Sequence, residues 1–352
     1  MNNLSLHEIP WLRHYGVGYN TDDYLIVHRR NRIYKIAGEG EALVEIGYIP
    51  ITILESILIF FRLGQRFKRL IFYNVFPISH NCYFVNFSNR IGYIENGVYY
   101  QIKGIINNCK ILNNGLALDD NGDIYFGEYF LNNRRDKPVH IYKFSGTNKK
   151  LEIVYVFPVG TIRHIHGIYK DPYTSYFYIA TGDNDHECSI LYTRDLFNTF
   201  HTLGKGDETW RTVSILFSKN HIYYGMDAEF IANKIFCIDK LTCKRRELGG
   251  VPGPIYYSSL LNEIPIFIVA AEFCPSQLDY SASIVCVSNE KIITKYSFAK
   301  DFNFINGISR LVAMLLLPGN FHLPFHNSKS KTKLYLYGIA LSKADGKSYE
   351  LK

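Results

Sequence analysis

The stretch Arg163–Glu187, RHIHGIYKDPYTSYFYIATGDNDHE, decides how this chain is read. It opens on an H-x-H pair, His164 and His166, and crosses a turn at Asp171-Pro172. It then runs through an aromatic and aliphatic strand, Tyr176 to Ala180, into a small residue and an acid, Gly182-Asp183. The same pattern recurs around it. Units start at Asn113 (NNGLALDDNGDIYFGEYF), Arg163, Trp210 (WRTVSILFSKNHIYYGMDAEF) and Pro254 (PIYYSSLLNEIPIFIVAAEF), spaced 50, 47 and 44 residues apart. In each unit the second strand ends near an acid: Glu128, Asp183, Asp227 and Glu272. Two further strands follow in each unit, for example His140 to Phe144 and Glu152 to Phe157.

Four strands per unit at a period of about 40–50 residues is the signature of a β-propeller blade. The expected fold is therefore all-β, one propeller domain over residues 1–352. Clear tandem blades lie at about 113–160, 163–206, 210–251 and 254–300. Strands before and after them imply more. Asn96-Gly97 marks a hairpin, since both central residues of that turn need positive φ. A blade at about 54–110 and a composite blade from about 15–50 plus 303–352 bring the count to six. Seven is the alternative, if 303–352 form a blade of their own. Pairing of N- and C-terminal strands closes the ring and leaves no free edge.

Composition fits this fold. Of 352 residues, 47% are hydrophobic and 15% aromatic, including 28 Tyr and 24 Phe, and such side chains suit pleated, half-buried surfaces. The net charge of +7 is spread along the chain in short runs, read as solvated turns and edges. Seven Cys with no C-x-x-C pair read as reduced, mostly buried thiols. The beginning of the chain lacks the charged-then-apolar pattern of a secretion signal, so a cytoplasmic protein is expected. The most apolar segment, Ile49 to Leu63, contains Pro50 and Glu55 and is too short to span a bilayer. It reads as a core strand or a short buried helix. No membrane partner is expected. Nucleic-acid binding would rest on net charge alone and is not expected either. Nucleotide-binding glycine loops and the G-x-S-x-G elbow are absent.

Within the second repeat, LYTRDLFNTFHTLG at residues 191–204 resembles the Asp-box, S/T-x-D-x-G-x-T-W, of sialidase-like propellers. Thr193, Asp195 and Thr199 match; Phe197 stands where Gly is expected, and Phe200 replaces Trp. The run H-x-H-G-x-x-x-D-P, A-T-G-D-x-D and W-R, in this order, is similar to bacterial and archaeal BNR-type propeller proteins over about residues 113–300. The resemblance implies a propeller and a link to carbohydrate. No flanking motif selects a sialidase arginine triad from Arg13, Arg163 and Arg211.

In a propeller the innermost strands line a central channel, so the repeated acids have a geometric reason to converge. Glu128, Asp183, Asp227 and Glu272, with His166, are the candidate catalytic groups of a glycoside hydrolase or a polysaccharide lyase. Paired carboxylates perform glycoside hydrolysis at separations that set its stereochemistry. His164, Arg134, Trp210, Arg211, Tyr256 and Tyr257 are the candidate substrate contacts. Arg211 would clamp a carboxylate or sulfate, and one of the two tyrosines would face the channel. No cofactor is expected; should a divalent metal be bound, His164, His166 and Asp183 are its expected ligands. The expected partner is a carbohydrate, in particular an acidic polysaccharide. The other reading is a non-catalytic propeller that binds a glycan or a protein.

Overall fold

The computed structural model describes residues 4–272, 274–301, 318–326 and 329–352. Its strands form seven antiparallel four-stranded sheets, the seven blades of a β-propeller. In chain order, blades I to VI span residues 16–48, 72–101, 116–157, 165–205, 215–250 and 255–299, each a meander of four consecutive strands.

Blade VII closes the ring. Its inner three strands are Asn320–His322, Leu334–Ile339 and Ser348–Leu351, and its outer strand is Leu6–Glu8 from the other end of the chain. Leu6 pairs with Leu351 and Glu8 with Tyr349. The closure thus joins the two ends of the chain in one composite blade, but the division differs from the expected one. Residues 16–48 complete a blade without help, so the count is seven, not six. Three residues suffice at the seam because they only need to cap the outer edge. Residues 303–317, part of the segment assigned to the composite blade, lie outside the described residues. Removing residues 1–8 is expected to uncover the Ser348–Leu351 edge and lower the melting temperature, with concentration-dependent aggregation. Thermal unfolding followed by light scattering checks this.

The core is a ring of layers, one between each pair of neighbouring blades. Phe76, Phe84, Phe126 and Phe144 fill the gap between II and III; Tyr125, Phe177 and Phe197 that between III and IV; Tyr178, Phe217 and Tyr224 that between IV and V. Leu12, Val17, Val27 and Tyr335 seal I against VII. This explains the aromatic composition: wedge-shaped gaps between twisted sheets take large flat rings at low entropic cost.

The apolar segment after blade I forms two short helices, α1 (Ile53–Leu58) and α2 (Arg62–Phe67). A capping box starts α1: Thr52 accepts from the Glu55 backbone while the Glu55 side chain accepts from the Thr52 backbone. The helices are not buried as expected. Ile53, Leu54, Phe60, Phe61 and Phe67 are exposed. What holds them is charge: Arg66, 3% exposed, pairs with Asp301 and Asp345 at 2.5 and 2.6 Å, and Arg62 with Asp345 at 2.7 Å. Among the described residues no helix is long and apolar enough to cross a membrane. All seven cysteines are free, and five are buried.

The segment resembling an Asp-box is a turn between the third and fourth strands of blade IV. Asp195 accepts from the Thr193 and Thr199 hydroxyls at 2.8 and 2.6 Å and from the Thr199 backbone at 2.9 Å. Phe197 takes φ 73°, the left-handed region that favours glycine. Its fully buried ring, stacked at 5.3 Å on Tyr125, offsets that strain by packing blade IV onto blade III.

Candidate functional site

Four blades show the same irregularity at the start of their innermost strand. The register with the second strand skips one residue: Gly18 in blade I, Tyr73 in II, His166 in IV and Tyr256 in VI. A bulge breaks the strict alternation of faces and lets neighbouring side chains share one side. It lets the adjacent Tyr256 and Tyr257 both line the channel; His164 and His166, two residues apart, meet at their Nε2 atoms.

On the axis lies a cavity of about 380 Å³. Tyr73, Tyr129, Tyr256 and Tyr257 provide aromatic walls. Arg69, Lys110, Arg211 and Lys300 bring positive charge, and Asp227, Glu229 and Glu272 negative charge. The volume falls within the range of small-molecule sites.

Next to this cavity, reached past Tyr129 and Arg211, is a cluster of His164, His166 and Asp183. The imidazole Nε2 atoms are 3.0 Å apart. His166 Nε2 is 3.0 Å from Asp183 Oδ1, and His164 Nε2 is 3.3 Å from Oδ2. The Tyr129 ring lies on His164 at 4.1 Å between centroids. Asp183 owes its position to Gly182, whose φ of 77° turns the chain out of the strand; a Cβ there would sit 2.2 Å from the Glu187 carbonyl oxygen. Arg163 Nη1 binds Asp183 Oδ2 at 2.5 Å, and the Arg163 backbone N–H donates to Glu187 at 2.9 Å. Burial lowers the His164 imidazole.

Arg211 links this cluster to the cavity. Its Nε is 3.4 Å from Asp183 and 3.6 Å from Asp227, and its Nη1 is 3.6 Å from Glu208. These are ion-pair distances; the buried Nε has no hydrogen-bond partner among the described residues. Burial pushes the Asp227 carboxyl up to about 7, although Arg211 pulls the other way. Glu272 is likewise raised by burial, partly offset by the Tyr256 hydroxyl that donates to it at 2.5 Å. Lys300 is lowered to about 8, again by burial. Lys110 lies over the Tyr73 and Tyr129 rings, 4.9 and 5.1 Å from their centroids.

Three expected site residues lie elsewhere. Glu128 points into blade III with no exposed surface. It accepts from Asn107 N and Nδ2 at 3.0 and 2.8 Å, His140 N and Nδ1 at 3.0 and 2.9 Å, and the Tyr142 hydroxyl at 2.7 Å. The reason is local. Gly127 stays in its strand, paired with Ile141, whereas Gly182 turns out of its own. Strand alternation then sends Glu128 inward and Tyr129 to the channel. Trp210 packs between blades IV and V, stacked on Tyr224 at 5.8 Å, with the Arg245 guanidinium 4.0 Å over its ring. Arg134 is exposed in the loop after Glu128, where its neighbour Arg135 is the one that engages Glu187, at 2.5 Å. Tyr73, Lys110, Tyr129 and Lys300 were not anticipated from sequence; of these only Tyr129 had a signal, its alternation with Glu128.

The chain is thus a seven-bladed β-propeller with a charged, aromatic-walled site on its axis. No protein-family model matches it, and no curated protein matches it. Solved structures match over nearly its whole length at low identity. The WD40 β-propeller domain of Doa1 aligns with a TM-score of 0.57 at 10% identity, covering 100% of this chain and 98% of that one. An oligogalacturonate lyase in complex with manganese aligns with 0.58 at 10%, covering 99% and 90%. The extracellular domain of a putative one component system from B. thetaiotaomicron aligns with 0.56 at 10%; this chain is covered to 99% but spans only 38% of that one. At such identities the likeness is one of fold.

Proposed function

We propose that the axial cavity binds an anionic oligosaccharide and cleaves a glycosidic bond in it, with Asp227 moving the proton. The observation that carries this reading is the Asp227 carboxyl, raised to about 7 beside a buried guanidinium whose Nε has no hydrogen-bond partner among the described residues. A group that is half protonated near neutrality both gives and takes a proton, as general acid–base chemistry requires. The tyrosine walls suit the faces of sugar rings. Arg69, Lys110 and Lys300 give the cavity a positive side for a sugar carboxylate or sulfate. In hydrolysis, protonated Asp227 would donate to the leaving oxygen while water adds to the anomeric carbon and passes its proton to Glu272. In elimination, Lys300, lowered to about 8, would serve as the base that removes a proton α to a sugar carboxylate, the C–O bond at the β carbon would break as the double bond forms, and Asp227 would protonate the leaving oxygen.

A non-catalytic glycan-binding channel is the second reading. It is favoured by the commitments of the acids: Glu272 is held by Tyr256, and Asp183 by Arg163 and two histidines. One assay separates the two. The purified protein is incubated with acidic and neutral polysaccharides while new reducing ends and the absorbance of unsaturated sugar products are followed. Reducing ends alone mean hydrolysis, and both signals mean elimination. Binding of acidic glycans with neither signal supports the second reading and overturns the first.

A further inference from the structure

We infer that His164, His166 and Asp183 bind one divalent first-row transition-metal ion, a conclusion that stands whether or not the ligand of the cavity is a glycan. The far side of each ring fixes where its hydrogen lies. His164 Nδ1 is 3.0 Å from the carbonyl oxygen of Phe130, and His166 Nδ1 is 2.9 Å from that of Thr212. A carbonyl oxygen only accepts, so both Nδ1 atoms carry hydrogen. In neutral imidazoles both Nε2 atoms then present lone pairs. These lone pairs face each other across 3.0 Å and face a carboxylate oxygen at 3.0 Å. Three electron-rich atoms converge where they repel unless a cation sits among them. Both histidines are almost wholly buried, at 1% and 2% exposure, so water does not relieve the repulsion.

The spacing also suits a metal. With bonds of about 2.1 Å, adjacent ligands of an octahedral ion are about 3.0 Å apart, and of a tetrahedral ion about 3.4 Å. The two Nε2 atoms, 3.0 Å apart, and His166 Nε2 and Asp183 Oδ1, also 3.0 Å apart, fall in that range, and one donor atom from each of the three residues lies within 4.8 Å of the other two. The two Nδ1–H···O=C bonds are the outer-shell contacts that fix tautomer and ring orientation at metal-bound histidines. Arg163 does the same for the carboxylate by holding Oδ2, while Oδ1 faces His166 at 3.0 Å and Arg211 Nε at 3.4 Å. Two imidazoles and one carboxylate favour Mn²⁺, Fe²⁺, Co²⁺ or Zn²⁺ over Mg²⁺ and Ca²⁺. Three protein donors leave coordination positions for water or ligand.

The test uses the full chain after chelation and dialysis, titrated separately with Co²⁺, Mn²⁺ and Zn²⁺. One equivalent of Co²⁺ should bind with a visible absorption band, and the melting temperature should rise with metal concentration. His166→Gln and Asp183→Asn should each weaken binding at least ten-fold. The wild type provides a check independent of how the variants fold. In its ¹⁵N spectrum, metal addition should shift both Nε2 resonances and leave both Nδ1–H groups in place. Failure of all three ions to bind stoichiometrically would overturn the inference, as would unchanged affinity in both variants. An Nε2–H that persists in the presence of metal would identify a shared proton as the occupant and overturn it too.

Discussion

Replacing Asp227 with asparagine is expected to lower glycan cleavage by about 10²–10⁴-fold, the usual contribution of a positioned acid or base. The same change is expected to stabilise the fold at pH 8. The folded-state pKa, about 7, lies above the unfolded value of about 3.9. The folded state therefore holds the proton more tightly. The resulting stabilisation is fully present below about pH 4 and is lost as pH rises through 7. The span corresponds to at most about 4 kcal/mol. Asparagine does not ionise, so the variant escapes this loss. Its gain is smaller than that figure, because Arg211 gives up one of its carboxylates. Melting curves of both proteins at pH 5 and pH 8 decide the matter. A variant less stable than wild type at pH 8 would mean that Asp227 is held ionised by Arg211. Activity lost together with stability gained is the pattern of a group retained for function.

Replacing Glu128 with alanine is expected to cost about 3–5 kcal/mol of unfolding free energy, with no specific effect on ligand binding in the channel. Its two oxygens gather five hydrogen bonds from Asn107, His140 and Tyr142 in a site with no exposure. Deleting them leaves several buried donors without partners, each worth about 1–3 kcal/mol. Glu128→Gln should lose less, since one acceptor oxygen remains. Urea unfolding measures the loss. A Glu128→Gln protein as stable as wild type but unable to cleave a glycan would return this residue to the chemistry.

The contrast between Glu128 and Asp227 shows what the sequence does and does not reveal. The repeat of about 44–50 residues was enough to recognise a propeller, because blade geometry is written in strand length and turn residues. The blade count was harder to read. The closing strand, Leu6–Glu8, is three residues long, and it pairs with strands more than 300 positions away. The segment after blade I reads in the sequence as a core strand or a short buried helix; the Thr52–Glu55 capping box makes it helical, and its exposure is not legible because Arg62 and Arg66 anchor it to Asp301 and Asp345 from the far end of the chain.

In the site, His164, His166, Asp183, Arg211, Asp227, Glu272, Tyr256 and Tyr257 do meet on or beside the axis. The motifs around them follow the first two strands of successive blades. Glu128 occupies the equivalent sequence position but the opposite face, and one backbone angle, at Gly182 and not at Gly127, makes the difference. Such an angle leaves little trace in composition. Tyr73, Lys110 and Lys300 have no local pattern to mark them: Tyr73 stands in the first strand of blade II, and Lys110 and Lys300 lie in isolated bridges outside the blade strands. Only closure of the ring places them around one cavity.

The central claim is that the axial cavity is the place where an anionic sugar binds. Its most direct test is a crystal structure of the protein soaked with a short acidic oligosaccharide, using Asp227→Asn to prevent turnover. The expected result is a sugar ring against Tyr129 or Tyr256, its acidic group toward Lys110 or Lys300, and a hydroxyl or glycosidic oxygen at residue 227. Sugar bound only on the outer blades, with the axial cavity free of it at saturating concentration, would show that the cavity is not the sugar site.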